Sequence, residues 1–231
     1  MAKVTSLITL QGTYNGITFV KSSTYGNHIR AKRGTHKKAV LNPAYEKQNK
    51  KLVKSNIPAK IIKDAIDPHR KDFFDGRLWT RLISMTNEQD LDDGQFDFTK
   101  LKPFEIHKAY PLRRLLDVET NTHVDRERDE LHVSLTYNIQ PAFDSSLSVD
   151  GYQFGVIAIF PDLENSKAKT EVVYSDIIEL TGNVAPLHMH VPVPSNATAY
   201  LICVRIDGCK KGKPYHTLAS RGMMVVEAGR I

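Results

Sequence analysis

The chain has 231 residues, of which 41% are hydrophobic and 25% charged, and this composition is typical of a folded globular protein rather than a disordered one. It has no run of about 18 apolar residues, and its first residues lack the apolar segment and cleavage site of a secretory signal, so we expect neither a membrane partner nor secretion by a signal peptide. The net charge of +6 is unevenly divided. Residues 1–63 contain 13 basic residues against one acidic residue (+12), whereas residues 64–231 contain 19 against 25 (−6). Residues 1–63, called the basic front below, predict an anionic partner. That partner could be phosphate groups or an acidic protein surface.

Residues 7–22 predict a β-hairpin whose tight turn is Asn15-Gly16, because both residue types tolerate the positive φ angles of a two-residue turn. Ile17 and Phe19 would share one face of its second strand with Lys21. A lone two-stranded hairpin is marginally stable in water. We therefore expect this one to pack on the body of the protein or on another subunit.

Residues 26–41 show no periodicity and predict an extended basic arm, after which a helix begins with Asn42 as its cap and Pro43 in its first turn. This helix has few apolar residues and should present a broad cationic face. Arm and helix together supply the predicted contacts to a polyanion or to a partner protein, although a solvated surface explains such lysines equally well. The predicted contact residues are Arg30, Lys32, Arg33, Lys37, Lys38, Lys47, Lys50, Lys51 and Lys54.

Two further helical segments follow from apolar spacing. The first contains Ile57, Ile61, Ile62 and Ala65 and should end at Asp67-Pro68. The second repeats an apolar residue at every fourth position, with Phe74, Leu78 and Leu82 as predicted core residues and Trp79 and Ile83 beside them. The acidic residues 90–97 do not fit a calcium-binding loop, since the glycine falls one place early and the twelfth place is Leu101, so a turn-rich junction is predicted there.

Beyond residue 100 the sequence predicts short strands separated by turn residues, with no helices between them. This pattern favours an antiparallel β-sandwich, and residues 200–206 are nearly continuous in apolar or β-branched residues, which predicts a central strand. The predicted fold is thus α+β, with a hairpin, arm and helical module over residues 1–99 and a sandwich over residues 100–231. The predicted strands span residues 104–107, 115–119, 131–138, 154–160, 171–180, 187–193, 199–206 and 216–226.

Few residues of the sequence suggest a catalytic site, a metal site or a disulfide bond. Cys203 and Cys209 lie in or beside an apparent hairpin with Asp207-Gly208 as its turn, which places them too far apart to pair, so free thiols are predicted. His188 and His190 would point to one face of a strand, as two metal ligands can, but no third ligand is signalled nearby. Surface histidines are the favoured interpretation. Phosphate-binding loops, nucleophile elbows and metalloprotease motifs are absent from the sequence, and we predict no catalytic residue, no metal and no cofactor.

The predicted hairpin contains Gly12 and Gly16 and continues with Ile17-Thr-Phe-Val20, and Tyr25-Gly-Asn-His-Ile-Arg30 and the basic tract follow it. The last strands include Tyr200-Leu-Ile-Cys-Val-Arg-Ile-Asp-Gly208. This pattern resembles uncharacterised proteins of Bacteroidota bacteria and their phages, which combine a short glycine-punctuated amino-terminal module with a β-rich carboxy-terminal half. The resemblance covers the first third of the chain and its last strands, and it implies no active site.

Three functional hypotheses follow. The favoured one is a non-enzymatic structural subunit of a large assembly, a phage virion, that contacts neighbouring protein subunits through its basic front. The alternative is a nucleic-acid-binding protein whose basic front lies on phosphate backbones. An enzyme with a sandwich fold is the third. The expected location is the virion or the bacterial cytoplasm, and a homo- or hetero-oligomer is expected.

Overall fold

A computed structural model describes residues 2–3, 11–22, 26–32, 42–89 and 96–231. Contacts divide the chain into two compact units, Met1–Lys47 and Gln48–Ile231. The division therefore falls after Lys47 and does not coincide with the predicted boundary between residues 99 and 100.

The first unit contains a four-stranded antiparallel sheet in the order β1-β4-β3-β2. Its strands are β1 (Ala2–Lys3), β2 (Gly12–Tyr14), β3 (Ile17–Val20) and β4 (His28–Ala31). The predicted hairpin is confirmed, because Asn15 and Gly16 have φ angles of 45° and 78° and Tyr14 pairs with Ile17 across the turn. Residues 7–10 of the predicted first strand lie outside the described residues.

The predicted extended arm is wrong for its first part. Strand β4 falls within residues 26–41 and pairs with β3, with His28 opposite Val20 and Arg30 opposite Thr18. The free edge of β3 offers backbone groups that the following segment can pair with, and this gain does not depend on an alternating side-chain pattern. Residues 33–41 of the predicted arm lie outside the described residues.

The two helical segments predicted between Asn42 and Asp67 form one continuous helix, α1 (Pro43–Ile66). Its cap is confirmed, since the Ala44 N–H donates to Asn42 Oδ1 at 3.0 Å. Pro58 lies inside the helix and removes one backbone hydrogen bond, but its ring and the following Ala59, Ile61 and Ile62 are buried. Burial of this face outweighs the missing hydrogen bond.

Helix α1 ends where Asp67-Pro68 was predicted to stop it, in a 3₁₀ turn over Asp67–Arg70. Helix α2 (Leu78–Asn87) follows, and the predicted core residues Leu78 and Leu82 are fully buried. The prediction for Phe74 is wrong: it precedes the helix, is 65% exposed, and its neighbour Phe73 is buried instead. The spacing of four residues therefore gave a wrong prediction at residue 74, because the helix begins only at Leu78.

The second unit also contains the antiparallel sheets. Its strands are β5 (Phe104–Glu105), β6 (Glu119–Asp125), β7 (Glu130–Thr136), β8 (Gly151–Asp162), β9 (Lys167–Tyr174), β10 (Ile178–Glu179), β11 (Leu187–Pro192), β12 (Ala199–Lys210), β13 (Lys213–Pro214) and β14 (Arg221–Arg230). A seven-stranded sheet has the path β10-β8-β12-β14-β5, with β9 beside β8 and β13 beside β12, and a three-stranded sheet has the order β11-β7-β6.

The seven-stranded sheet is covered on both faces, which confirms the α+β class. Side chains of β12 alternate between two cores: Leu201 and Cys203 pack with α1 and α2, and Ile202 and Val204 pack with the three-stranded sheet. This double coverage explains why residues 199–206 are nearly continuous in apolar residues. Helix α2 and the part of α1 from Gln48 onward share a core with the sheet and belong to the same compact unit as these strands.

Two local predictions are corrected. Residues 115–118 are not a strand; Leu115 and Leu116 are buried after a 3₁₀ turn (Leu112–Arg114), and β6 starts only at Glu119. Asp207-Gly208 is not a turn, because β12 continues to Lys210 and pairs with β8 through Cys209. Both cysteines are nevertheless free and buried, and burial raises the pKa of the Cys203 thiol to about 12. No helix in the described part of the chain is long and apolar enough to cross a membrane.

Candidate functional site

The amino-terminal half of α1 brings four of the predicted contact residues together. Each of Lys47, Lys50, Lys51 and Lys54 has another of the four at a distance of three or four residues, so they lie along one side of the helix. Residues 42–54 are exposed, except that Lys51 is partly buried, and Ser55 is the first buried residue of the helix. The face that carries lysines here continues, in the second half of α1, as the face that packs into the core.

The same half of α1 exposes apolar side chains beside the lysines. Tyr45 and Leu52 are seven residues apart and Val53 and Ile57 are four apart, so they form two neighbouring rows within about 140° of the helix circumference. This apolar stripe consists of Tyr45, Leu52, Val53 and Ile57, which are 69%, 38%, 58% and 44% exposed. Scattered single apolar residues on a surface are normal, but a stripe at helical spacing is characteristic of a contact surface.

The remaining predicted contact residues lie elsewhere. Arg30 is in β4 opposite Thr18, and the Lys32 N–H donates to the Gly16 carbonyl oxygen at 2.8 Å just beyond that strand. Arg33, Lys37 and Lys38 lie outside the described residues. The described part of the predicted contact set is thus split between a strand of the first sheet and α1.

A buried ion-pair network holds the 3₁₀ turn after α1 against the central sheet. The Asp207 carboxylate lies 2.6 Å from Arg205 Nε and 2.8 Å from Arg221 Nε, and the side chains of Asp207, Arg205 and Arg221 are 4%, 14% and 2% exposed. Arg205 Nη1 donates to the His69 carbonyl oxygen at 2.7 Å. One buried and one partly buried guanidinium group therefore share one buried carboxylate, and Asp72, which lies 3.8 Å from Arg221, is largely exposed.

A second network joins α2 to β5 through Asp75. Burial alone would raise the pKa of Asp75, but N–H groups of Arg77 and Lys108 and the guanidinium of Arg81 outweigh it and lower the pKa. The Arg81 Nη2 donates to Asp75 Oδ2 at 2.8 Å, and Nη1 donates to the Glu105 carbonyl oxygen at 2.6 Å. This carboxylate is a structural group that favours its charged form.

The outer face of the three-stranded sheet carries a histidine row, formed by His123, His132 and His190. The register places His123 of β6 and His190 of β11 on either side of His132 of β7. The His132 and His190 rings are 4.4 Å apart between centroids and edge to face, and the His123 and His132 rings are 6.3 Å apart. Inward neighbours Leu131 and Val133 are buried, which fixes the histidines outward.

Two carboxylates adjoin this row. Glu130 Oε2 lies 3.7 Å from both His132 Nε2 and His190 Nδ1. Asp125 Oδ2 lies 3.9 Å from His132 Nε2, and its Oδ1 accepts hydrogen bonds from the backbone N–H groups of Glu127 and Arg128. His132 Nε2 is shielded from solvent and has no hydrogen-bond partner among the described residues. The arrangement places one ligand atom from each of two imidazoles and one carboxylate within 4.8 Å of one another.

Sequence reasoning considered His190 as a possible metal ligand but favoured a surface histidine, and it did not consider His132 or Glu130. A signal was present, because the alternation of residues 131–137 puts Glu130, His132 and Ser134 on the face opposite the buried Leu131 and Val133. His188, which the sequence placed on the same face as His190, is hydrogen-bonded through Nδ1 to Ser134 Oγ at 2.9 Å.

Comparisons with protein-family models, with curated proteins and with solved structures return no match.

Proposed function

We propose that this protein is a non-enzymatic structural subunit of an assembly and that the amino-terminal half of α1 packs against a second copy of the chain. The observation that carries the proposal is the apolar stripe of Tyr45, Leu52, Val53 and Ile57, exposed on a helix whose other half is anchored in the core. Covering such a stripe removes apolar surface from water, which favours association.

Charge supports a second copy as the partner. Residues 1–63 carry 13 basic residues and one acidic residue, and residues 64–231 carry 25 acidic residues and 19 basic ones. The basic front of one copy and the acidic body of another are therefore complementary, and such complementarity favours encounter and orientation. A stable contact of this kind would bury about 1,000 Å² or more. The resemblance to phage proteins makes a virion the assembly that we propose.

The test measures mass by light scattering on a size-exclusion column. We expect the wild-type chain to elute as a dimer or larger oligomer, and the double variant Leu52→Asp/Val53→Asp to elute as a monomer. Both positions are exposed, so the fold should be retained, which circular dichroism checks. Ile139→Asp is the matched control, because Ile139 is 63% exposed but lies far along the chain from α1; this variant should assemble normally.

A monomeric wild type at every accessible concentration would overturn the proposal of self-assembly. Equal assembly of the wild type and the Leu52→Asp/Val53→Asp variant would show that the stripe does not form the interface.

Binding to nucleic acid is the second candidate, favoured by the lysine side of α1. Lysines on phosphate backbones release counterions, so affinity should fall steeply with salt and depend little on base sequence. The same column run with a DNA duplex at low salt tests this. Replacing Lys47, Lys50, Lys51 and Lys54 with Ala should flatten the salt dependence by about one unit for each phosphate that a lysine no longer neutralises. Absence of binding at low salt would exclude this function.

A further inference from the structure

We propose that Glu130, His132 and His190 bind a divalent transition metal of the zinc type on the outer face of the three-stranded sheet. Glu130 and His132 come from β7, His190 comes from β11, and the register places His190 directly opposite His132. One ligand atom from each residue can be chosen so that all three lie within 4.8 Å of one another.

The distances suit a small cation. Zinc binds imidazole nitrogen and carboxylate oxygen at about 2.0–2.2 Å in tetrahedral geometry, which places its ligand atoms roughly 3.4 Å apart. Glu130 Oε2 is 3.7 Å from His132 Nε2 and 3.7 Å from His190 Nδ1. Both distances exceed this spacing only slightly and all three ligand atoms lie within 4.8 Å of one another, so rotation of the two rings and the carboxylate would close the site.

A second observation concerns His132. Its Nε2 atom is shielded from solvent without a hydrogen-bond partner in the described part of the chain. Shielded polar atoms in folded proteins nearly always have a partner. A cation bound between the three residues would supply one, because the Nε2 lone pair of neutral imidazole is a metal ligand.

The donor set also indicates the class of metal. Two imidazoles with one carboxylate suit zinc and other first-row transition ions, whereas magnesium and calcium prefer oxygen ligands alone. The Glu130 and His190 side chains are 38% and 56% exposed, which leaves one side of the site open to solvent for a water ligand. Asp125 is a weaker candidate for the fourth position, because its carboxylate is already engaged by backbone N–H groups and lies 3.8 Å from Arg128.

Such a metal would tie β11 to β7. The two strands are adjacent in space, although about sixty residues separate them in the sequence, and β11 lies at one end of the three-stranded sheet. A ligand that binds only the folded arrangement stabilises the fold in proportion to the logarithm of its concentration over its dissociation constant.

The test is calorimetric titration of Zn²⁺ into the full chain after treatment with a chelator. We expect saturable binding of one Zn²⁺ per chain, no binding of Mg²⁺ or Ca²⁺ under the same conditions, and a higher thermal midpoint with Zn²⁺. His190→Ala and His132→Ala should each weaken Zn²⁺ binding by more than about 100-fold, since loss of an outer-sphere partner alone accounts for about 10–100-fold.

His188→Ala is the matched control, because His188 lies on the same strand and the same face but bonds to Ser134. It should bind Zn²⁺ as the wild type does. The His190 side chain is more than half exposed, so His190→Ala should fold normally even if His132→Ala does not. The proposal is overturned if the wild type shows no saturable Zn²⁺ binding, or if His190→Ala binds as tightly as His188→Ala.

Discussion

Replacing Asp207 with Asn should strongly destabilise the body of the protein. Asp207 is the buried carboxylate of the network with Arg205 and Arg221, whose side chains are 14% and 2% exposed. Two unit charges about 4 Å apart interact by about 4 kcal/mol at an effective dielectric constant of 20. Removing one partner of a buried ion pair costs about 3–5 kcal/mol, because the other charge remains buried without compensation. We therefore expect the free energy of unfolding to fall by about 3–5 kcal/mol, out of the roughly 5–15 kcal/mol that is usual for a domain.

The assay is urea unfolding followed by circular dichroism, compared at equal m-values. The control is Asp176→Asn, an exposed acidic residue in the loop after β9, which should change the unfolding free energy by less than about 0.5 kcal/mol. A double-mutant cycle isolates the cause: Asp207→Asn combined with Arg221→Met should cost less than the sum of the single variants, since the second change removes a cation that the first leaves unpaired. A decrease below about 1 kcal/mol for Asp207→Asn, or strict additivity in the cycle, would refute the assignment of a buried charge network.

Two further predictions concern the helical side of the core. Leu82→Ala should lower the free energy of unfolding by about 2–5 kcal/mol because Leu82 is fully buried, whereas Leu218→Ala, at a site 37% exposed, should have a much smaller effect in the same urea assay. Asp75→Asn should reduce stability at neutral pH, and the difference from the wild type should shrink as the pH falls below about 4. The direction of this pH dependence follows from the lowered pKa of Asp75 in the folded state. The carboxylate contributes to the free energy of unfolding above its unfolded-state pKa, and this contribution is lost as the pH falls through the folded-state pKa. A difference that stays constant down to acid pH would contradict this role.

Local chemistry made part of the fold predictable from the sequence. The turn at Asn15-Gly16, the cap at Asn42 and the burial of Leu78 and Leu82 each depend on residues within a few positions of one another. The central strand was predictable because a strand covered on both faces needs apolar residues at successive positions. The turn, the cap, the buried leucines and the central strand are therefore features that short sequence patterns predict.

Features that depend on distant partners were not predictable in this way. Strand β4 lacks an alternating pattern and is defined by its pairing with β3. The continuity of α1 through Pro58 depends on a core supplied by strands much further along the chain. The cluster of Glu130, His132 and His190 requires the register between β7 and β11, which the sequence does not state.

The two proposed sites should act independently, because the central sheet separates the elements that carry them within residues 48–231. The carboxy-terminal half of α1 packs on one face of that sheet through Ile62 and Ile66, and the three-stranded sheet packs on the other face through Val133 and Val191. Sites without shared contacts are usually additive. His190→Ala should therefore leave the oligomeric state unchanged, and Leu52→Asp/Val53→Asp should leave Zn²⁺ affinity unchanged, as measured by light scattering and calorimetry. A change of oligomeric state in His190→Ala would instead place the outer face of the three-stranded sheet in the interface between subunits.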